Sequence, residues 1–262
     1  MHPSKFSVFT IFIIVLLLHV SAGIYFNGYS PWWLPVILLA YLIIIILGSI
    51  FIRWNFYIRS KNKLPRLRLH FNPKGFGLSH HEKAVALSFD DGPGDHSPTV
   101  LDILKKERVP ATFFLIGRQI EGKEKIVRRM VEEGHEIGGH SFSHGRDFDW
   151  KSSKEMLSEI LSANMAIESI IQKPVRLFRP PYGVTNPNLA KAVHQAGMAS
   201  VGWSIRSLDT IARSEKKLLK RLLRKIKPGA IILLHDHCTI THRILPELIA
   251  GIRGKGYVFE TI

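Results

Sequence analysis

Asp90 and Asp91 stand side by side at the end of a short apolar run and are followed at once by Gly92 and Pro93. Two carboxylates at one strand end can divide their work, one holding a metal ion while the other accepts a proton. His140 and His144 are four residues apart, so both imidazoles share one face if the segment is helical and can grip one cation. Asp91, His140 and His144 together form a two-histidine, one-carboxylate set, which leaves coordination positions open for water and substrate. Arg179 heads the run Arg179, Pro180, Pro181, Tyr182, Gly183, where prolines stiffen the backbone and the guanidinium can hold a carboxylate in one orientation. His235, after the apolar run Ala230 to Leu234, is placed to act as a general acid. Each feature alone has a plainer account: an Asp-rich turn, a chance pairing among 13 histidines, a surface turn, a structural imidazole. Their occurrence together favours chemistry, whereas His80, His81 and His194 read as solvated surface groups.

Such groups can meet only if a scaffold carries them to one rim. From Lys83 onward short β-branched runs alternate with amphipathic stretches, the pattern of an α/β domain with parallel strands. Seven strands are expected, at Ala84 to Phe89, Ala111 to Ile116, His135 to Gly138, Val175 to Phe178, Ala199 to Ser204, Ala230 to His235 and Tyr257 to Glu260. Helices are expected at Ser97 to Arg108, Lys123 to Glu133, Lys154 to Ile171, Asn186 to Ala196, Glu215 to Ile226 and His242 to Arg253, with Ser97, Ser153, Asn186 and Ser214 as caps. Seven strands joined by six crossovers imply a distorted (β/α) barrel, whose reactive groups collect beyond the carboxyl ends of the strands. The residues singled out above fall at those ends.

The first 52 residues are of another kind. Phe6 to Phe26 and Trp32 to Ile52 are uncharged runs of roughly the 20 residues that cross a bilayer, apolar on every face as core helices rarely are. They are expected to be two transmembrane helices, with Tyr25, Tyr29, Trp32 and Trp33 as an interfacial belt. Lys5 and the small residues Val20, Ser21 and Ala22 also fit a cleavable signal peptide, but the apolar stretch is long for one and a second run follows almost at once. The net charge of +15 is uneven: no acidic residue precedes Glu82, whereas Lys5, Arg53, Arg59, Lys61, Lys63, Arg66, Arg68 and Lys74 do. Cations next to a span suit anionic lipid headgroups, and no nucleic-acid motif accompanies them, so nucleic acid is not expected as a partner. The organisation is therefore an anchor over 1–52, a basic juxtamembrane linker over 53–82 and a catalytic domain over 83–262. The cations place that domain in the cytoplasm, while a cell-wall polymer as substrate would require the outside. Cys238 is the only cysteine and excludes an intramolecular disulfide.

Five motifs follow one another here: SFDDGP (Ser88 to Pro93), HSFSH (His140 to His144), RPPYG (Arg179 to Gly183), SLDT (Ser207 to Thr210) and LLH (Leu233 to His235). In order and spacing, over about Ala84 to Ile262, the chain resembles the polysaccharide deacetylase family, the fourth family of carbohydrate esterases. The resemblance implies a divalent metal, usually zinc with cobalt, manganese or nickel as alternatives, held by Asp91, His140 and His144. It further implies that Asp90 takes the proton of the attacking water, that His235 protonates the departing sugar nitrogen, and that the backbone N–H of Tyr182 helps stabilise the oxyanion. Arg179 would orient Asp90, and Asp209 would pair with His235. Pro180, Tyr182, Leu233 and Arg206 would border the substrate. The chain departs from the family at Arg206 and Thr210, where an aspartate and a tryptophan are usual, so an aromatic wall of the groove is lost and Arg206 is free to meet a phosphate or carboxylate.

The expected activity is removal of the acyl group from the nitrogen of an amino sugar, in an N-acetylated glycan or glycolipid at a membrane. Two other functions are kept beside it: deformylation or deacetylation of a polyprenyl-linked sugar, and a catalytically silent glycan-binding protein.

Overall fold

A computed structural model describes residues 5–28, 30–65, 68–72, 75–79 and 83–262. Tyr29, Arg66, Lys74, His80, His81 and Glu82, which figure in the expectations above, lie outside the described residues. Two apolar helices come first, α1 (Lys5–Asn27) and α2 (Trp33–Ile50), of 23 and 18 residues. Most of their side chains are exposed, which separates them from the core helices of a soluble protein. They form a hairpin. The Phe6 N–H donates to Phe56 O at 3.0 Å, and the Phe9 ring stacks on Tyr41, so the start of α1 meets the chain leaving α2. A small antiparallel pair, β1 (Arg68–Asn72) and β2 (Gly75–Ser79), follows.

The remainder alternates strand and helix as the hydrophobic pattern requires. The strands are β3 (Ala84–Gly92), β4 (Thr112–Leu115), β5 (Glu136–Gly139), β6 (Leu177–Phe178), β7 (Ala199–Ser200), β8 (Ile205–Arg206), β9 (Ala230–His235) and β10 (Val258–Phe259). The helices are α3 (Ser97–Glu107), α4 (Glu124–Glu132), α5 (Ser153–Ile171), α6 (Pro187–Gln195), α7 (Glu215–Lys225) and α8 (Thr239–Arg253). Seven parallel strands run in the order β7-β6-β5-β4-β3-β9-β8, and β10 pairs with the start of β3. The sheet curls into a half-barrel whose outer face, with Val85, Leu87, Phe89, Phe113, Ile232 and Leu234, is buried under the helices, while Ala86, Ile231, Leu233 and Trp203 pack on the inner face. Caps act locally as their residue types dictate. Ser152, one residue before the expected Ser153, forms a capping box with Glu155, and Asn186 and Ser214 cap α6 and α7. Ser97 is no cap: its hydroxyl is buried, accepts the N–H of Gly94 and donates to Asp236.

The strand expected over Ala199 to Ser204 is divided. The chain leaves β7 after Ser200, passes through Gly202 and Trp203, and enters β8 on the opposite edge of the sheet. The residues expected as linker lie along this seam. The Lys61 N–H donates to Ser200 O at 2.8 Å, Gly202 N–H to Lys61 O at 3.0 Å, and Leu64 N–H to Gly229 O at 2.9 Å. Lys61 pairs with Val201 and Lys63 with Ala230, so the chain just beyond α2 supplies the pairing that the short β7 and β8 leave unmade. Ile52 and Leu64 are buried beside Trp203, Ala86, Ile231 and Leu233. The end of α2 also reaches the domain, where Thr185 donates from its N–H to Ser49 O at 2.9 Å.

Because Leu64 is only 5% exposed in that seam, Leu64→Ala should destabilise the protein by about 2–5 kcal/mol, read as a lowered thermal midpoint of the full chain in detergent. An unchanged midpoint would mean that residues 61–64 do not stay packed on the barrel.

Candidate active site

β3 ends at the rim with Asp90 and Asp91, and its register explains how both carboxylates face one place. Pairing with β4 shifts between Phe89 and Gly92, and Asp91 takes a left-handed conformation at φ 66°, which interrupts the alternation of a regular strand. His140 Nε2 consequently stands 3.4 Å from Asp91 Oδ1 and 3.9 Å from Asp90 Oδ2. β9 pairs with β3 in a register that sets His235 beside Asp90.

The two histidines of the second motif are not helical. Residues 140–144 form a loop beyond β5 with left-handed Ser141 (φ 62°) and His144 (φ 49°), and this turn folds the His144 ring back to 4.8 Å from that of His140. His144 Nε2 lies 3.4 Å from the same Asp91 Oδ1. The expectation of a shared helical face is therefore corrected to a shared loop, with the same convergence achieved by backbone strain. Glu159 of α5 secures the loop by accepting the N–H groups of Phe142 and Ser143 at 3.1 and 2.8 Å.

A carboxylate oxygen and two imidazole nitrogens now lie within 4.8 Å of one another. Donors about 2.1 Å from a tetrahedral zinc ion are separated by about 3.4 Å, the spacing found from Asp91 to each histidine. Two further observations fit a cation here. Asp91 Oδ1 is buried and has no hydrogen-bond partner among the described residues, and His140 Nδ1 lies 2.7 Å from Arg179 O, which leaves Nε2 turned to the cluster. Burial raises the Asp91 carboxyl, but the His140 imidazole beside it, with the charges of His144 and His235, outweighs that and holds it well below the usual carboxylate range. Burial, with His140 alongside, brings the His144 imidazole down to about 4, so it is neutral and offers a lone pair at neutral pH.

Asp90 is oriented from behind. Arg179, fully buried, donates from Nη1 to Asp90 Oδ1 at 2.6 Å and to Ser88 Oγ at 2.9 Å, and from Nη2 to Gly202 O at 2.9 Å. Its guanidinium lies 4.0 Å from the centroid of the Phe114 ring. On the other side Asp209, in a turn after the left-handed Leu208, accepts from His235 N–H at 2.8 Å and lies 2.8 Å from His235 Nδ1. Ser207 and Thr241 hydroxyls also donate to Asp209, at 2.7 and 2.6 Å. Burial lowers the His235 pKa, but the hydrogen bond and charge of Asp209 prevail and raise it. Asp209 is held at about 2, its burial outweighed chiefly by His235. Asp236, beneath the rim, is pushed up to about 7 by burial, which curbs the negative charge beside Asp91.

Asp90, Asp91, His140, His144 and His235 border a cavity of about 240 Å³ that also includes Tyr182, Gly183, Trp203, Arg206, Leu208, Thr210 and Leu233. Of the expected site residues, Arg179, Asp209 and Pro180 do not line the cavity: Arg179 stands behind Asp90, Asp209 behind His235, and Pro180 is buried. Trp203 was not anticipated. Its ring fills the place where a Cβ on Gly183, at φ 72°, would stand 2.1 Å away, so it supplies an aromatic wall although Thr210 does not. His237 is likewise new, with Nδ1 4.0 Å from Asp91 Oδ2, and the His235–Asp236–His237 spacing was its only sign. Arg206 is exposed at the mouth, 5.9 Å from the Trp203 centroid.

With the site in view, the comparisons with known proteins are specific. The profile of the family described as "Polysaccharide deacetylase" matches residues 78–201. A chitooligosaccharide deacetylase of Bradyrhizobium sp. (strain ANU 289) is 38% identical over 200 residues, 70% of this chain and 91% of that protein. A peptidoglycan N-acetylmuramic acid deacetylase of Bacillus subtilis (strain 168) is 34% identical, over 69% of this chain and 70% of its own. Among solved structures, a Bacillus anthracis protein described as a pseudoenzyme of the fourth carbohydrate esterase family superposes with TM-score 0.65 at 32% identity, over 69% of this chain and 64% of that one, less than two thirds of its length.

Replacing Asp91, His140 or His144 by alanine should take the metal content of purified protein from near-equimolar to background in an elemental mass-spectrometric assay. Retention of the ion by all three variants would separate the cluster from metal binding.

Proposed function

The chain belongs to the polysaccharide deacetylase family and is a carbohydrate N-deacetylase, and from that premise we propose that it hydrolyses the N-acetyl amide of an amino sugar in a glycan or glycolipid at a membrane. The observation that carries this reading is the setting of Asp90 and His235 side by side on β3 and β9, flanking the cluster of Asp91, His140 and His144. Those three residues would hold a divalent ion, zinc by the nature of the donors, which when bound polarises the amide carbonyl and acidifies water. Asp90 receives the proton of the attacking water, and the Arg179 contact at 2.6 Å keeps its carboxylate aimed. The Tyr182 N–H serves the developing oxyanion: Gly183 and Val184 donate back to Pro180 and Pro181, while among the described residues Tyr182 N–H makes no such bond. His235, with Nδ1 committed to Asp209, delivers a proton from Nε2 to the nitrogen as the C–N bond breaks. Trp203 and Leu233 give the sugar ring an apolar wall.

Membrane attachment belongs to the same proposal. α1 and α2 are long and apolar enough to span, with mean hydropathy 2.4 and 2.6 in their best windows, and the hairpin keeps both its ends beside the catalytic domain. Anionic lipids are the natural partners of the cations that follow α2. A lipid-linked sugar is the second reading of the substrate, favoured by Ile52, just past α2, packing against the same Trp203 that walls the cavity, and by the exposed Arg206. Likeness to a pseudoenzyme raises a silent glycan-binding role, against which stands the complete set of acid, base and metal-site residues.

Asp90→Ala and His235→Ala should each lower kcat for acetate release from chitooligosaccharides by about 10²- to 10⁴-fold. Full turnover in either variant would refute the assigned roles. The pH profile tests Asp209. His235 must be protonated to donate, so activity falls as pH rises through its pKa, and Asp209 raises that pKa. Asp209→Asn should therefore move the alkaline limb to lower pH, whereas an unmoved limb would free His235 from Asp209.

A further inference from the structure

A second concave site lies apart from the catalytic cavity. Arg53, Lys63, Arg224, Lys225 and Lys227 converge on a cleft of about 430 Å³ beside β8 and the start of β9, and among the described residues no acidic side chain lines it. The five cations come from three separated stretches of chain, all five side chains are exposed, and among the described residues none makes an ion pair. The cleft continues onto α7, which buries Leu218 and Leu222 and turns Lys216, Lys217 and Lys220 to solvent. Like charges gathered around one hollow repel one another, and an anion seated among them removes the repulsion.

The position of the cleft says which anion. Arg53 stands just beyond Ile50, the last residue of α2, and between them Phe51 stacks on the exposed ring of Trp54 at 5.3 Å, an aromatic pair suited to the headgroup level of a bilayer. Lys63 is held in place by its pairing with Ala230, so the cleft is built by the fold and does not depend on flexible tails. We propose that this cleft binds the phosphate headgroup of an anionic phospholipid in the leaflet from which α2 emerges. One phosphate there fixes the rotation of the barrel about the hairpin, and so the direction in which the catalytic cavity opens over the membrane. The proposal rests on reading α1 and α2 as spans.

The test uses the full chain in nonionic detergent, with retention of phosphatidylglycerol and of phosphatidylcholine of the same acyl chains compared by native mass spectrometry. Phosphatidylglycerol should be retained about tenfold better. Arg224→Gln, Lys225→Gln and Lys227→Gln together should erase that preference, and so should Arg53→Gln with Lys63→Gln, with deacetylation of soluble oligosaccharides unchanged in both. The charge-matched control Lys125→Gln, Arg128→Gln, Lys173→Gln should keep it. Equal retention of the two lipids, a preference that survives both cleft variants, an equal loss in the control, or displacement of the lipid by millimolar inorganic phosphate would each overturn the proposal. Release of the chain from membranes by alkaline carbonate would instead defeat the spanning reading, so the two failures are told apart.

Discussion

The ion pair between Arg179 and Asp90 is the constraint from which the rest of the site follows. A guanidinium with no exposure to solvent is tolerable only if its charge is met, and here Nη1 and Nη2 are met by Asp90, Ser88 and Gly202 O together with the face of Phe114, while Nε has no partner among the described residues. Removing one partner of such a pair typically costs about 3–5 kcal/mol, because the other is left charged and dry. The same residue also lies against the cluster of Asp91, His140 and His144, since its carbonyl is 2.7 Å from His140 Nδ1. One buried side chain and its backbone thus couple β6 to β3, to the break between β7 and β8, and to the histidine loop.

Two carboxylates one residue apart acquire different tasks from their surroundings. Asp90 is enclosed and committed to an arginine, while Asp91, bent out by its left-handed backbone, meets imidazoles from three directions. Across the cavity Asp209 gives His235 the opposite treatment to that of His144, raising its pKa where burial lowers the other to about 4. One imidazole is thereby prepared to carry a proton and the other to present a lone pair.

Much of this was legible in residue order, because strands that end in polar groups and helices with apolar stripes announce themselves locally. The β3 and β9 strands, the Asp and His clusters and the apolar hairpin all sit where their patterns place them. What was hidden depends on partners distant in the chain. The division of Ala199 to Ser204 arises because Gly202 gives its carbonyl to Arg179 and its N–H to Lys61, and no local periodicity encodes either bond. Spacing brings His140 and His144 to one face only if the segment is helical, and their actual convergence was hidden because the turn relies on non-glycine residues at positive φ that propensity disfavours. Trp203 escaped notice because its role is defined by Gly183, twenty residues away and in another motif.

The seam between β7 and β9 has an implication for how this enzyme can be rearranged. Ile52 and Leu64 are part of the barrel wall, and Ser49 at the end of α2 holds Thr185, three places beyond Tyr182. The apolar hairpin is therefore not a tether from which a finished catalyst hangs. A chimera that kept the strands but borrowed another protein's membrane hairpin would inherit an open slot beneath its own reaction chamber, and the new hairpin would have to bring matching side chains to fill it.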